Sequence, residues 1–351
     1  MPLVENALLP VFAKLRQEGQ VVLTQDQALR QDIRALHIGL LNMMPDPALE
    51  ATERQFLRLI GSCNQIAQFY VHPFTLPGLP RGPQAQNHLE NYYESFEAIQ
   101  REGLDALIVT GANVSNPRLE QEAFWQPLLE VVRWAEANVT SILCSCLSSH
   151  ALLQHKYGLE RRLLAKKVWG VYAHRSTRLP HPLLRDINTR FDVPHSRWNE
   201  VSRQQMDEAG LITLIESSQG HVHLAVSPDG CRIVYSQGHP EYDANSLLKE
   251  YKRDLGLYLS GQLKVRPPFP ENYFPPAAEE VLAGYLESER GDFPESELEA
   301  LLDNTWGDTG RAVFNNWLGM VYQLTHLDRN KPFADGIDPE DPIHWKGQPK
   351  T

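Results

Sequence analysis

Short, continuous apolar runs recur along the chain at 36–41 (LHIGLL), 66–71 (IAQFYV), 106–110 (ALIVT), 140–144 (TSILC), 168–172 (VWGVY) and 233–236 (IVYS). Each is rich in β-branched or aromatic residues and predicts a strand buried on both sides. Between them, at 51–60, 89–100, 121–138, 148–157 and 246–259, apolar residues return every three or four positions, the spacing of amphipathic helices. Buried strands alternating with helices predict an α/β fold: a mostly parallel sheet with helices on both faces.

The segment Lys264-Val265-Arg266-Pro267-Pro268-Phe269-Pro270 suits neither helix nor sheet, and a boundary is placed there. The expected organisation is an N-terminal segment at 1–32 packed on the core, a main α/β domain at 33–263, and a C-terminal extension at 264–351. The extension is acidic and proline-punctuated, with a helix expected at 311–323, an acidic helix-like stretch at 294–304, and a loose tail after about Asp328. No internal repeat is visible.

Composition narrows the partners. A chain of 351 residues with 42% hydrophobic content can bury a sizeable core. The formal net charge of −11 lacks the basic excess of proteins that bind nucleic acid or anionic membranes, so small molecules are the expected partners. No apolar run reaches the roughly 18 to 20 residues that span a bilayer, and the N-terminus shows no basic-then-apolar export signal. Four cysteines without a C-x-x-C pair indicate neither a disulfide framework nor a metal knuckle. A reducing, cytoplasmic location is expected.

Reactive sites of open α/β sheets lie at the carboxyl ends of strands. Cys146 falls at such a place, in the turn between the strand ending at Cys144 and the helix beginning at Ser148. The positive end of a helix favours the thiolate there, and the N–H of Leu147 would point at the same spot to hold an oxyanion. The alternative is that Cys146 is a small core residue, as Cys144 is expected to be. The second signal is Gly238-His239-Pro240-Glu241-Tyr242-Asp243, after the strand at 233–236. Pro240 biases His239 to an extended conformation, in which residues two apart project to one side. His239 and Glu241 would then serve a thiol nucleophile as base and orienting carboxylate. His150, one turn into the helix, is read as a packing or capping residue and not as a second base. His221 and His223 alternate on a predicted strand without a third ligand at metal spacing, so no metal site is expected. Trp125 and Trp134 read as helix packing.

Taken together, the strand–Cys–helix turn, Gly238-His239-Pro240-Glu241-Tyr242-Asp243, the early L-N-M-M-P followed by T-E-R-Q-F-L-R-L-I-G, the Thr110-Gly111-Ala112 loop and Pro194-His195-Ser196-Arg197 occur in the order found in homoserine O-succinyltransferases. The chain also resembles that family at Lys167-Val168-Trp169-Gly170-Val171-Tyr172, Glu250-Tyr251-Lys252-Arg253-Asp254 and Asn272-Tyr273-Phe274-Pro275, over roughly residues 1 to 277, with a weaker echo at Asn315-Asn316-Trp317-Leu318. The resemblance implies a fold like that of class I glutamine amidotransferases, a homodimer, and a ping-pong reaction. In it the cysteine takes a succinyl group from succinyl-CoA and passes it to the hydroxyl of L-homoserine, in methionine biosynthesis. No cofactor is implied, since succinyl-CoA is a substrate.

By motif position the resemblance makes Cys146 the nucleophile, His239 the base and Glu241 its partner. It puts Lys167, Ser196 and Arg253 where the family contacts substrate; Arg197 and Glu250 are further candidates for substrate binding, and Ala112 and Asn113 join Leu147 as candidates for the oxyanion hole. Homoserine is a zwitterion, so a cation and an acceptor are needed, and Glu250 and Arg253, three apart on a helix, share one face. Ser115 stands where glutamate in the family goes with acetyl-CoA and a small residue with succinyl-CoA. A serine there leaves room for the succinyl carboxylate and can donate to it. The chain has Leu147-Ser148-Ser149-His150 where the family reads W-G-A-Q, and Asp46-Pro47-Ala48-Leu49 where lysines follow M-P. The competing expectations are acetyl-CoA as donor or serine as acceptor, a glutamine amidotransferase or glutaminase, a cysteine peptidase, and a catalytically silent binding protein.

Overall fold

A computed structural model describes residues 3–63, 67–177, 180–287 and 292–344. Its centre is an eleven-stranded sheet: β1 (Leu3–Val4), β2 (Val22–Leu23), β3 (Ala35–Met43), β4 (Gln68–Phe74), β5 (Ala106–Ala112), β6 (Ser141–Ser145), β7 (Arg162–Ser176), β8 (Arg190–Glu200), β9 (Ile212–Ser217), β10 (Val222–Val226) and β11 (Ile233–Ser236). The spatial order is β2-β1-β4-β3-β5-β6-β11-β10-β9-β7-β8. Pairings from β2 through to β11 are parallel. From β11 to β8 they are antiparallel. The predicted α/β class with a mostly parallel sheet is therefore present, and its antiparallel wing is an addition. The run at 168–172 is the middle of the long β7, which pairs antiparallel with both β8 and β9.

Each parallel strand is apolar on both faces because both faces are covered. In β5, Ala106 and Ile108 join one cluster while Leu107 and Val109 join the other. The first cluster is roofed by helices Val11–Gln17, Asp46–Gly61 and Gly307–Leu324; the second by Trp125–Asn138 and Leu147–Tyr157. A third cluster packs helices Ser246–Leu259 and Pro276–Glu287 on Trp169 and Val171 of β7. Trp125 is buried in the second cluster, and Trp134 packs against it.

Several boundaries differ from expectation. The single helix predicted at 89–100 is two, Pro83–Tyr92 and Phe96–Glu102. The break has a local cause: Ser95 caps the second helix, its Oγ accepting from the Ala98 N–H at 3.2 Å, while the Glu94 N–H is drawn to the Pro73 carbonyl of β4. Ile66, first residue of one predicted strand, lies outside the described residues, and the strand starts at Gln68. The acidic stretch at 294–304 is helical only over Glu295–Glu299. Past Asp328, Phe333 is buried, with the Arg232 guanidinium 3.7 Å from its ring centre. The last residues, 345–351, are not among those described. Among the described residues no helix is long and apolar enough to cross a membrane.

Candidate active site

β6 and β11 are adjacent and parallel, with Ser145 opposite Ser236, so both chains leave the sheet at the same level. The residue after Ser145 is Cys146, in a backbone conformation (φ 55°, ψ −111°) that side-chain-bearing residues rarely adopt. Its N–H donates to the Ser236 carbonyl at 2.7 Å, which ties the turn to β11. The helix Leu147–Tyr157 starts immediately afterwards, so Cys146 sits at a positive helix end, only partly covered, while Cys144 is fully buried.

The residues after the nucleophile hold this helix start in place. Ser148 Oγ donates to the carbonyls of Val109 (2.8 Å) and Ser145 (3.0 Å), and Ser149 Oγ to those of Cys144 (2.9 Å) and Ser236 (3.0 Å). His150 is buried, its proton affinity lowered by that burial to a pKa of about 4, and its Nε2 lies 2.9 Å from the Gln237 side-chain oxygen. A neutral ring held by an amide fits the packing role expected for it.

Beyond β11, His239 and Glu241 come together as their spacing predicts. His239 Nδ1 lies 2.8 Å from Glu241 Oε1, and both side chains are buried. Burial alone would discharge the ring, but the Glu241 carboxylate and the Cys146 thiolate, each hydrogen-bonded to the ring, hold His239 well above the ordinary imidazole range. The Tyr242 ring stacks on it at 4.3 Å. The segment is stapled from behind: Asp243 takes ion pairs from Arg54 and Arg58 of helix Asp46–Gly61, and Arg58 also donates to the Glu241 carbonyl at 3.1 Å. Gly238 is needed for close approach, since a Cβ there would lie 2.5 Å from Val193 and 2.8 Å from His223.

Cys146, His239 and Glu241 open onto a cavity of about 630 Å³. All the other predicted site residues line it: Ala112, Asn113, Ser115, Leu147, Lys167, Ser196, Arg197, Glu250 and Arg253. On one side Glu250 gathers three partners, Ser196 Oγ (2.6 Å), Tyr242 Oη (3.1 Å) and Lys167 Nζ (3.4 Å). Glu250 and Arg253 both line the cavity, as their shared helix face suggested, and they do not pair with each other. Arg253 is paired instead with Asp254, at 2.8 Å, because its exposed guanidinium lies along the surface.

Arg197 is buried and held rigidly. Nη1 pairs with Glu200 at 3.2 Å, Nε reaches His195 Nδ1 at 3.4 Å, and Nη2 has no partner. The bond from Nε leaves His195 Nε2 to face His174 Nε2 (3.2 Å), whose own Nδ1 donates to the Tyr172 carbonyl (2.7 Å). Burial holds both rings below the usual imidazole range, so the chain of donors runs one way from the guanidinium. His223, whose Nδ1 has no partner, lies beside this chain, and His221 pairs with Glu200.

On the other side the Ser115 hydroxyl, expected to face an acyl carboxylate, is committed to Glu122 at 3.2 Å, and that same carboxylate accepts the N–H groups of Ser115 (2.6 Å) and Asn116 (2.5 Å). Tyr242, Gly111 and Arg161 are among the lining residues to which sequence reasoning gave no role. Tyr242 stands inside a motif that was noticed. A Cβ added at Gly111 would lie 3.8 Å from Cys146 Cβ and 3.9 Å from the Leu147 nitrogen, so this glycine borders the thiol turn. Arg161 follows the helix in a stretch without any sequence signal.

Comparison with known proteins identifies relatives of the chain. A family model described as homoserine O-succinyltransferase matches residues 2–327. A protein named homoserine O-succinyltransferase from Methylococcus capsulatus is 59% identical, covering 98% of this chain and 99% of its own length. Proteins of the same name from Methylobacter tundripaludum and Nitrosococcus oceani are 58% and 57% identical, each covering 98% of this chain and 99% and 98% of their own lengths. Among solved structures, a glutamine amidotransferase from Methylobacillus flagellatus aligns over 82% of this chain and 95% of its own, at 15% identity and a TM-score of 0.46. With a family match along nearly its whole length and full-length relatives this similar, the chain belongs to the homoserine O-succinyltransferase family of acyltransferases.

Proposed function

We propose that this protein moves a succinyl group from succinyl-CoA to the hydroxyl of L-homoserine through a thioester on Cys146, giving O-succinyl-L-homoserine for methionine biosynthesis in the cytoplasm. The observation that carries this reading is His239 placed between the thiol and Glu241 at the floor of one open cavity. The Cys146 thiol gives its proton to His239, and the thiolate–imidazolium pair so formed starts the reaction. The thiolate attacks the thioester carbonyl, the new oxyanion faces the Leu147 N–H and the loop of Ala112 and Asn113, and the C–S bond to coenzyme A breaks as its sulfur takes the His239 proton. The neutral ring then takes the homoserine hydroxyl proton while that oxygen attacks the acyl-enzyme. The Cys146 thiolate leaves and the ion pair is restored.

Glu250 supports the acceptor side, since an ammonium group can replace or join Lys167 on its carboxylate. The unpaired Nη2 of buried Arg197 offers the acceptor carboxylate a fixed donor. The test is intact-mass measurement after mixing with succinyl-CoA. A single succinyl adduct is expected that Cys146→Ala lacks and that L-homoserine, unlike L-serine, discharges. Turnover by Cys146→Ala should fall by roughly 10⁴-fold or more. An adduct of equal size on the folded Cys146→Ala protein would end the reading.

A further inference from the structure

Four Lys or Arg side chains line the reactive cavity: Arg161, Lys167, Arg197 and Arg253. Lys167 is taken by Glu250 and lies over the Trp169 ring, Arg253 by Asp254, and Arg197 is fixed by Glu200 and the histidine chain. Arg161 is different. Among the described residues it makes no ion pair and no side-chain hydrogen bond, although it is partly buried. Its five donors, none bonded to a described residue, belong to a half-buried side chain that lines the cavity and are open to an anion. The nearest candidate acid, Glu122, already accepts three bonds from Ser115 and Asn116. Ser115, in turn, has no hydroxyl proton left to offer a ligand, so its contribution to the cavity is room.

We propose that Arg161 binds the free carboxylate of a dicarboxylic acyl group carried on Cys146, and is thereby the residue that selects succinyl over acetyl donors. The proposal rests on the acyl-transfer reading above and names the side chain that recognises the far end of the acyl group. Glu250, Ser196, Tyr242 and Lys167 form one bonded group suited to an amino-acid acceptor. The loop of Asn113 to Asn116, with Arg161, forms the remaining wall against the thiol. Electrostatics agrees with that placement: burial depresses the guanidinium's proton affinity, and the charges opposing this come from Glu122 and from Cys146 itself. Planar guanidinium meets a carboxylate with two parallel bonds, a contact an acetyl group cannot make.

The experiment compares kcat/KM for succinyl-CoA and acetyl-CoA, at saturating homoserine, in the wild type, Arg161→Leu and Arg161→Lys. Coenzyme A is common to both donors, so the ratio isolates the acyl end. The succinyl-to-acetyl ratio is expected to fall by about 100-fold in Arg161→Leu and by about 10-fold in Arg161→Lys, which keeps charge but loses the fork. A ratio within about threefold of wild type in both variants overturns the proposal. That includes the case where both donors lose activity together, as they would if Arg161 held the coenzyme A phosphates or only the fold. A wild type that transfers neither acyl group would instead overturn the acyl-transfer reading, so the two failures are distinguishable.

Discussion

At the scale of single residues, the reactive centre is bought with backbone strain. Cys146 holds φ at 55° and ψ at −111°, a region that suits glycine, because the turn must lift its side chain above β6 and still return the chain into a helix. Cys146→Gly should therefore be more stable than Cys146→Ala by about 1–3 kcal/mol in urea unfolding, although both lack the nucleophile. Equal midpoints would mean that the turn relaxes freely. The placement of Cys146, His239 and Glu241 around one cavity was readable from the sequence because each follows a continuous apolar strand, and open sheets of this architecture gather side chains at their strand ends. Arg161 was not readable: it stands among charged residues after a helix-ending glycine, and only folding brings it into the cavity that holds the thiol. The Ser115 hydroxyl, expected to face an acyl carboxylate, is bonded to Glu122, a residue with no motif of its own.

At the scale of elements, the parallel strands were visible in the sequence because burial on both faces leaves no polar alternation to confuse them. β8 was hidden for the opposite reason. It is an edge strand paired only with β7, and it tolerates Pro194, Asp192 and Arg190 because one side of its backbone needs no partner. β1 and β2, two residues each, are too short to carry any period. The helix Gly307–Leu324, near the end of the chain, is part of the central core. Trp317 is fully buried, and its Nε1 donates to Ser141 Oγ of β6 at 2.9 Å. Trp317→Ala should cost about 3–5 kcal/mol in urea unfolding, with a single transition. A loss below about 1 kcal/mol, or a separate early transition, would show that this helix is dispensable to the sheet.

For the whole molecule, buried histidines set the response to acid. Burial lowers His37 to about 3 and His150, His174 and His181 to about 4, and holds His195 and His223 well below 6.5. Between about pH 6.5 and 4 the unfolded chain binds protons that the folded one refuses, so stability falls as pH drops, by up to about 1.4 kcal/mol per pH unit for each such group. His88 and His239, held above the usual value, are protonated in both states across that window and lose their contribution only as pH rises through their folded pKa. The urea midpoint should therefore be markedly lower at pH 5 than at pH 7. A constant midpoint would show that these rings are protonated inside the fold.

The pairing of Ser145 with Ser236 has a further consequence. Because Cys146 follows Ser145 directly and His239 follows Ser236 by three residues, thiol and imidazole leave the sheet from adjacent strand ends, and strand spacing sets the starting point of their approach. The cavity's walls belong largely to other elements: Lys167 to β7, Ser196 and Arg197 to β8, and Glu250 to the helix Ser246–Leu259. A substitution there can reshape the cavity while the two strand ends keep thiol and imidazole side by side, much as a lathe keeps its spindle when the chuck is changed.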